Sequence, residues 1–302
     1  MNEIAKSIRM GTVDFFGVLV PGILVITMVA LGVFMPLLSL LMDISNINIK
    51  LEAIDLNAAT LILASLIIFA YVLGYILRLS SPDALDRISA KKVIVKEIKA
   101  GTDMVADGWP YDPDNPKDKY PYFNFRNYLL KRGHEHLTKA LVTWGSDADW
   151  SAGKTWSDKG SDKKPIVITK RSKSTVNKMK MDVRLHCPEL NGMLESKEGH
   201  IRLMAGAWAA FRFSMPSVII TFMVLGIVAV AVQLLDLFPK SQITNQNYFI
   251  YFFINFNLLM IMYYSNKQIE KLFHYRRVSE LFHIVQAAYF AQEAYKKNAS
   301  SK

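Results

Sequence analysis

Residues 15–42 read FFGVLVPGILVITMVALGVFMPLLSLLM, 28 positions without Asp, Glu, Lys or Arg. A soluble helix does not present such a stretch, because one of its faces must meet water. A bilayer accommodates it. A hydrocarbon core of roughly 30 Å is crossed by about 20 helical residues at 1.5 Å each. Lys6 and Arg9 precede the run as in a secretory signal, but the apolar part is too long and no small-residue cleavage site occurs before Asp43. The run reads as an uncleaved anchor.

Three further runs carry no acidic or basic side chain: Leu56 to Leu77, Phe213 to Leu235, and Ser241 to Asn266. Each exceeds the length a crossing needs, although the apolar part of the last is confined to Tyr248–Tyr264. The expected fold is therefore mainly α: a four-span helical integral membrane protein with a mostly helical cytoplasmic insert. The boundaries predicted are a transmembrane hairpin over 1–80, a basic cytoplasmic domain over 81–212, a second hairpin over 213–266 and a cytoplasmic helix over 267–302.

Orientation is set by the cations. Residues 78–212 hold 25 Lys and Arg against 17 Asp and Glu, and the tail after Asn266 holds seven against three. The loop over 43–55 holds Lys50 alone against Asp43, Glu52 and Asp55. Cation-rich loops stay cytoplasmic, so both termini are expected inside. The same rule accounts for most of the net charge of +10, which by itself is poor evidence for nucleic-acid binding. The single cysteine, Cys187, falls on the cytoplasmic side and has no partner within the chain for a disulfide.

Within the insert, Ser81-Pro82 predicts a helix start and a helix to about Lys99, since Ser caps and Pro suits the first helical position. The prolines between Trp109 and Pro116 exclude helix and central strand. A helix is expected over Phe123–Trp144, a polar Gly/Ser-rich mobile loop over 145–164, a short strand over Pro165–Thr169, and helices over 173–185 and 191–212. After the last span, Val278, Leu281, Phe282, Val285, Ala288 and Tyr289 recur at helical spacing, with Glu280, Gln286 and Glu293 on other faces. That stripe needs cover, either from the insert or from a second copy of the chain.

Catalytic and metal patterns fail on inspection. Ala148–Thr155, ADWSAGKT, matches a permissive phosphate-binding loop, yet the residues after Thr155 are too polar and Gly-rich to form the required helix. Asp112, Asp114 and Asp118 suggest a calcium loop, but Lys117 and Phe123 occupy the positions that need Gly and Glu. His134 and His136 stand two apart, which on a helix turns them away from each other, so a structural or solvated pair is expected rather than a metal site. No nucleophile elbow, carboxylate pair or dinucleotide fingerprint is present. A non-enzymatic protein without cofactor is expected.

Residues 154–184 are the notable polar feature, with ten cations against three anions and Trp156 among them. Such a stretch binds phosphates or nucleotides, attracts anionic head groups, or is simply solvated. Lys163, Lys164, Lys170, Arg171 and Lys173 are the candidate anion ligands. No Asp, Glu, Lys, Arg or His lies inside any span, which disfavours proton relays, voltage sensors and ion-coupled transport. Thr27, Thr221, Asn255 and Asn257 are candidates for lining a pore or for hydrogen bonding between helices. Four helices enclose no wide conduit, so conduction would require a homo-oligomer. Pro21-Gly22 is expected to kink the first span.

Two stretches, Asp14-Phe-Phe-Gly-Val-Leu-Val-Pro-Gly22 and His274-Tyr-Arg-Arg-Val-Ser-Glu-Leu281, resemble bacterial membrane proteins found with defence genes. The layout of two hairpins around a basic insert is similar to membrane effectors of anti-phage systems, most of all to the channel subunit of the Hailong system. The resemblance implies an oligomeric inner-membrane channel controlled by a nucleotide or oligonucleotide, with a cytoplasmic regulatory partner. The alternative is a membrane-anchored sensor or scaffold that does not conduct.

Overall fold

A computed structural model describes residues 17–45, 56–100, 128–130, 132–144, 170–235 and 245–300. Among them the chain is helical apart from short connections, and no strand occurs. Helix α1 runs from residue 17 through a π-helical turn at Ala30–Phe34 into Met35–Ser45. It is followed by α2 (Leu56–Ala100), α3 (Glu135–Trp144), α4 (Lys170–His186), α5 (Pro188–Leu235) and α6 (Asn245–Ser300). Among the described residues three stretches are long and apolar enough to cross a membrane: Gly17–Leu40, Ala59–Leu79 and Pro188–Val228.

Contacts divide the chain into two units. The first comprises Met1–Ser81 with Arg202–Ile269, the second Pro82–Ile201 with Glu270–Lys302. Helices α2, α5 and α6 each contribute residues to both.

In the first unit, α1 is packed on by three helices, and glycine makes each contact close. A Cβ at Gly22 would overlap the Ala70 carbonyl of α2, one at Gly74 would overlap the Val18 carbonyl, and one at Gly206 of α5 would overlap the Pro21 ring. Ala70 and Gly74 stand four apart, the small-residue spacing that lets membrane helices approach backbone to backbone. Further along α1, Gly32 faces Val218 of α5 and Leu258 of α6. Met28, Phe211, Val218, Leu258 and Met262 form the buried core there. Phe222 stacks on Phe252 with ring centroids 4.5 Å apart. By contrast, α2 between Ala59 and Leu79 is nearly uncovered, with only 11% buried.

The second unit is built on the stripe of α6. Leu281, Ile284, Val285 and Ala288 are fully buried against Leu137 and Leu141 of α3 and Val176, Met179 and Val183 of α4. Burial of such aliphatic side chains removes about 1.5–3 kcal/mol of exposure cost each, which a polar insert of this size needs in order to hold together. The cover for the stripe thus comes from the insert of the same chain.

Several local expectations are corrected. Residues 17–29 are α-helical through Pro21-Gly22, and a π turn not expected from the sequence follows just ahead of Pro36. Pro36 has no amide to donate and its ring crowds the preceding turn, which widening relieves. No helix restarts at Ser81-Pro82, because α2 passes through it unbroken for 45 residues. The helix expected over Phe123–Trp144 is interrupted at Gly133, whose φ of 75° is left-handed. The Gly133 amide donates to the Leu130 carbonyl at 3.0 Å and the His134 amide to that of Leu129 at 2.9 Å, a Schellman stop. The His134 carbonyl then accepts from Leu137 and Thr138 to begin α3. Helices expected over 173–185 and 191–212 are present as α4 and the first half of α5. They are separated only at Cys187, because Pro188 cannot continue α4 but fits the first turn of α5.

Candidate functional site

The candidate anion ligands divide by position. Lys163 and Lys164 lie outside the described residues, as do the loop over 145–164, the strand expected over Pro165–Thr169, the phosphate-loop pattern and the calcium-like pattern. Lys170, Arg171 and Lys173 occupy the first turn of α4, which contains no acidic residue. A helix N-terminus carries partial positive charge and free amides, so cations there oppose the helix dipole and an anion would be favoured.

Further along α4, Lys180 and Arg184 are engaged with carboxylates. Lys180 Nζ lies 2.7 Å from Glu198 Oε2 of α5 and 3.8 Å from Glu280 Oε1 of α6. The other Glu280 oxygen accepts from Arg277 at 2.7 Å. Arg184 approaches Glu195 at 3.6 Å, and Glu195 also accepts from Asn191 at 2.7 Å. Glu280 is only 3% exposed, so its charge is held by Arg277 and Lys180 rather than by water. Helical spacing alone places Glu280 away from the apolar stripe. It does leave the stripe, but toward α4 and not toward solvent. The sequence signal was the run of cations on α4, which required a buried acid for any member turned inward.

A second polar contact in this unit joins α2 to α6: the buried Ser89 hydroxyl accepts the His274 amide at 2.8 Å. Burial pushes the His274 imidazole down to about 3, so it is neutral at ordinary pH. The pair at His134 and His136 packs as rings on the edge of the α6 stripe, 5.1 Å from Phe282 and 5.3 Å from Tyr289 respectively. Among the described residues no group of three or more His, Cys, Asp or Glu is placed to hold a metal ion. Cys187 is half-buried.

The four candidate pore residues point two ways. Thr221 and Asn255 are buried within the first unit, while Thr27 and Asn257 are exposed on it. Thr221, Asn255 and Asn257 donate to the carbonyl one turn back in their own helices, Ser217, Tyr251 and Phe253, at 3.0, 3.1 and 2.8 Å. Such internal bonds make them tolerable in an apolar setting and do not link helices.

No family model, curated protein or solved structure matches this chain.

Proposed function

We propose that the chain assembles as an oligomeric channel in the bacterial inner membrane, gated by a nucleotide or oligonucleotide bound at the start of α4, in anti-phage defence. The defence assignment rests on the resemblance alone. In this reading the membrane is crossed four times with both termini in the cytoplasm. The fourth crossing is the charge-free part of α6 up to Asn266, supported by Lys267 Nζ lying 4.4 Å from the centre of the Tyr263 ring. Arg212 sits likewise 5.0 Å over Trp208 at the start of the third apolar run. Aromatic rings and long cations together are what a membrane–water boundary selects. The uncovered surface of α2 supports assembly in lipid, since apolar exposure on that scale needs acyl chains or sister subunits.

One observation carries the gating half of the reading. Helix α4 carries three cations in the first turn of its dipole-positive end and, two to three turns on, is tied through Lys180 to both α5 and α6. Those two helices also carry membrane-crossing runs. A ligand that repositions α4 therefore acts on the pore helices through a charged contact with two partners, provided it prefers one arrangement over the other.

Purified protein in planar bilayers tests this, with short DNA and RNA added at two salt concentrations. Discrete conductance that responds to oligonucleotide is expected, with weaker binding at higher salt. Replacing Lys163, Lys164, Lys170 and Arg171 by Gln should abolish the response and leave insertion intact. Absence of conductance under every condition would favour the scaffold. Conductance sensitive only to anionic lipid would move the basic segment to the bilayer surface.

A further inference from the structure

The π turn of α1 leaves a backbone carbonyl without its helical donor. In an α-helix the Leu31 oxygen accepts from Met35, and in a π-helix from the next residue. Here the Met35 amide donates to the Ala30 oxygen instead, and the next residue is Pro36, which has no amide. Neither ring closure on Leu31 is therefore available. In the middle of a membrane span a carbonyl that the local π adjustment leaves unmet is met by a neighbouring helix, a hydroxyl side chain or water.

The position of that oxygen indicates which. Leu31 lies on an uncovered stripe of α1 formed by Ile23, Thr27, Leu31, Phe34, Met35 and Leu38, all exposed. Gly32, one residue on, faces inward against Val218 and Leu258. Helical geometry points the Leu31 carbonyl toward the following turn, where Phe34 and Met35 are both exposed. One turn earlier, Thr27 is the stripe's one polar side chain. The apolar face of α2 is equally uncovered, but its proline, Pro82, lies past the charge-free run of Leu56 to Leu77, so the carbonyls within that run keep their helical donors. A lipid-facing role suits α2 and does not suit the α1 stripe.

We propose that the Thr27–Leu31 stripe of α1 lines the conduction path of the oligomer, and that the Leu31 carbonyls, one from each subunit, form a ring that coordinates permeating cations. Carbonyl oxygens replace cation hydration and offer nothing to an anion, and no charged side chain in any span offsets them. This assignment rests on the channel reading and goes further, naming the lining helix and the ion class.

Two measurements test it, and they separate its failure from that of the channel reading. In a Cys187→Ser background, Thr27→Cys and Ile62→Cys are treated in sealed vesicles with a membrane-impermeant maleimide. Labelling at Thr27→Cys is expected at least tenfold faster than at Ile62→Cys; equal rates would overturn the lining assignment, whether or not the protein conducts. Reversal potentials in a KCl gradient then give selectivity. The expected result is cation preference, reduced in Pro36→Ala, where the restored amide lets the turn revert to α geometry. Anion preference in the unsubstituted protein would overturn the carbonyl ring. Fast labelling at Thr27→Cys without any conductance would instead defeat the channel reading while supporting a water-facing α1.

Discussion

Gly22 of α1 lies so close to the Ala70 carbonyl of α2 that a Cβ on the glycine would overlap the oxygen. The relationship is repeated one turn away between Gly74 and the Val18 carbonyl. Because the neighbour is backbone in both cases, no rotamer change relieves the clash and the helices must separate. Gly22→Ala and Gly74→Ala are each expected to destabilise the first unit by about 1–3 kcal/mol. Gly226, which has nothing within 4 Å of its would-be Cβ, provides the control. Gly226→Ala is expected to be neutral or to stabilise by about 0.5–1 kcal/mol, through backbone entropy. Thermal melting in detergent checks all three, and equal effects would remove the close crossing as the cause.

The stripe of α6 makes a second prediction. Val285 is fully buried and Phe282 partly so, against α3 and α4. The double substitution Phe282→Asp, Val285→Asp buries charge with no partner and should unfold the second unit. Limited proteolysis should then cut within 128–201 at rates at least tenfold above those of the unsubstituted protein. Unchanged proteolysis would contradict the packing described.

Glu280 supplies a third. Its removal leaves Arg277 and Lys180 facing each other around a buried site, so Glu280→Gln is expected to cost about 3 kcal/mol. Adding Lys180→Met should recover part of that loss, since the surplus charge goes with it. A double-mutant cycle by denaturant unfolding measures the coupling. Additive effects would show that Lys180 is held by Glu198 alone.

The fourth concerns pH. His274 titrates near 3 in the folded protein because burial disfavours its charged form, against an ordinary value of 6.5. Above 6.5 both folded and unfolded chains hold it neutral. As pH falls from 6.5 toward 3 only the unfolded chain takes up the proton, so stability drops over that window. Between pH 7.5 and pH 5 the loss from this group is about 2 kcal/mol. His274→Phe should flatten that part of the profile in melting experiments. An unchanged acid limb would assign it to other groups.

Topology is the last. Reporter fusions after residues 48 and 243 are expected to read extracytoplasmic, and fusions at 160 and 302 cytoplasmic, because the cations segregate that way. A cytoplasmic signal at 48 would reverse the first hairpin.

Sequence alone determined the properties that local composition sets. The charge-free runs are visible without a fold, because a bilayer selects residue by residue for absence of charge. The α4–α5 junction was legible within a few residues because Pro188 and Cys187 settle it locally, and the α6 stripe because burial on one helical face imposes its own period. Tertiary structure alone decided matters that depend on a neighbour. Pro21-Gly22 reads from the sequence as a kink, and only Ala70 and Gly206 beside it show that it is also where α2 and α5 approach α1 so closely that a Cβ on Gly22 or Gly206 would overlap its neighbour. Glu280 reads only as lying off the apolar stripe until Lys180, from a helix a hundred residues earlier, shows what it meets. The π turn depends on Pro36 and on packing at Gly32, whose partners Val218 and Leu258 lie far off in the chain. Each of these turns on which atom occupies the other side of a contact, and hydropathy and spacing carry no information about that.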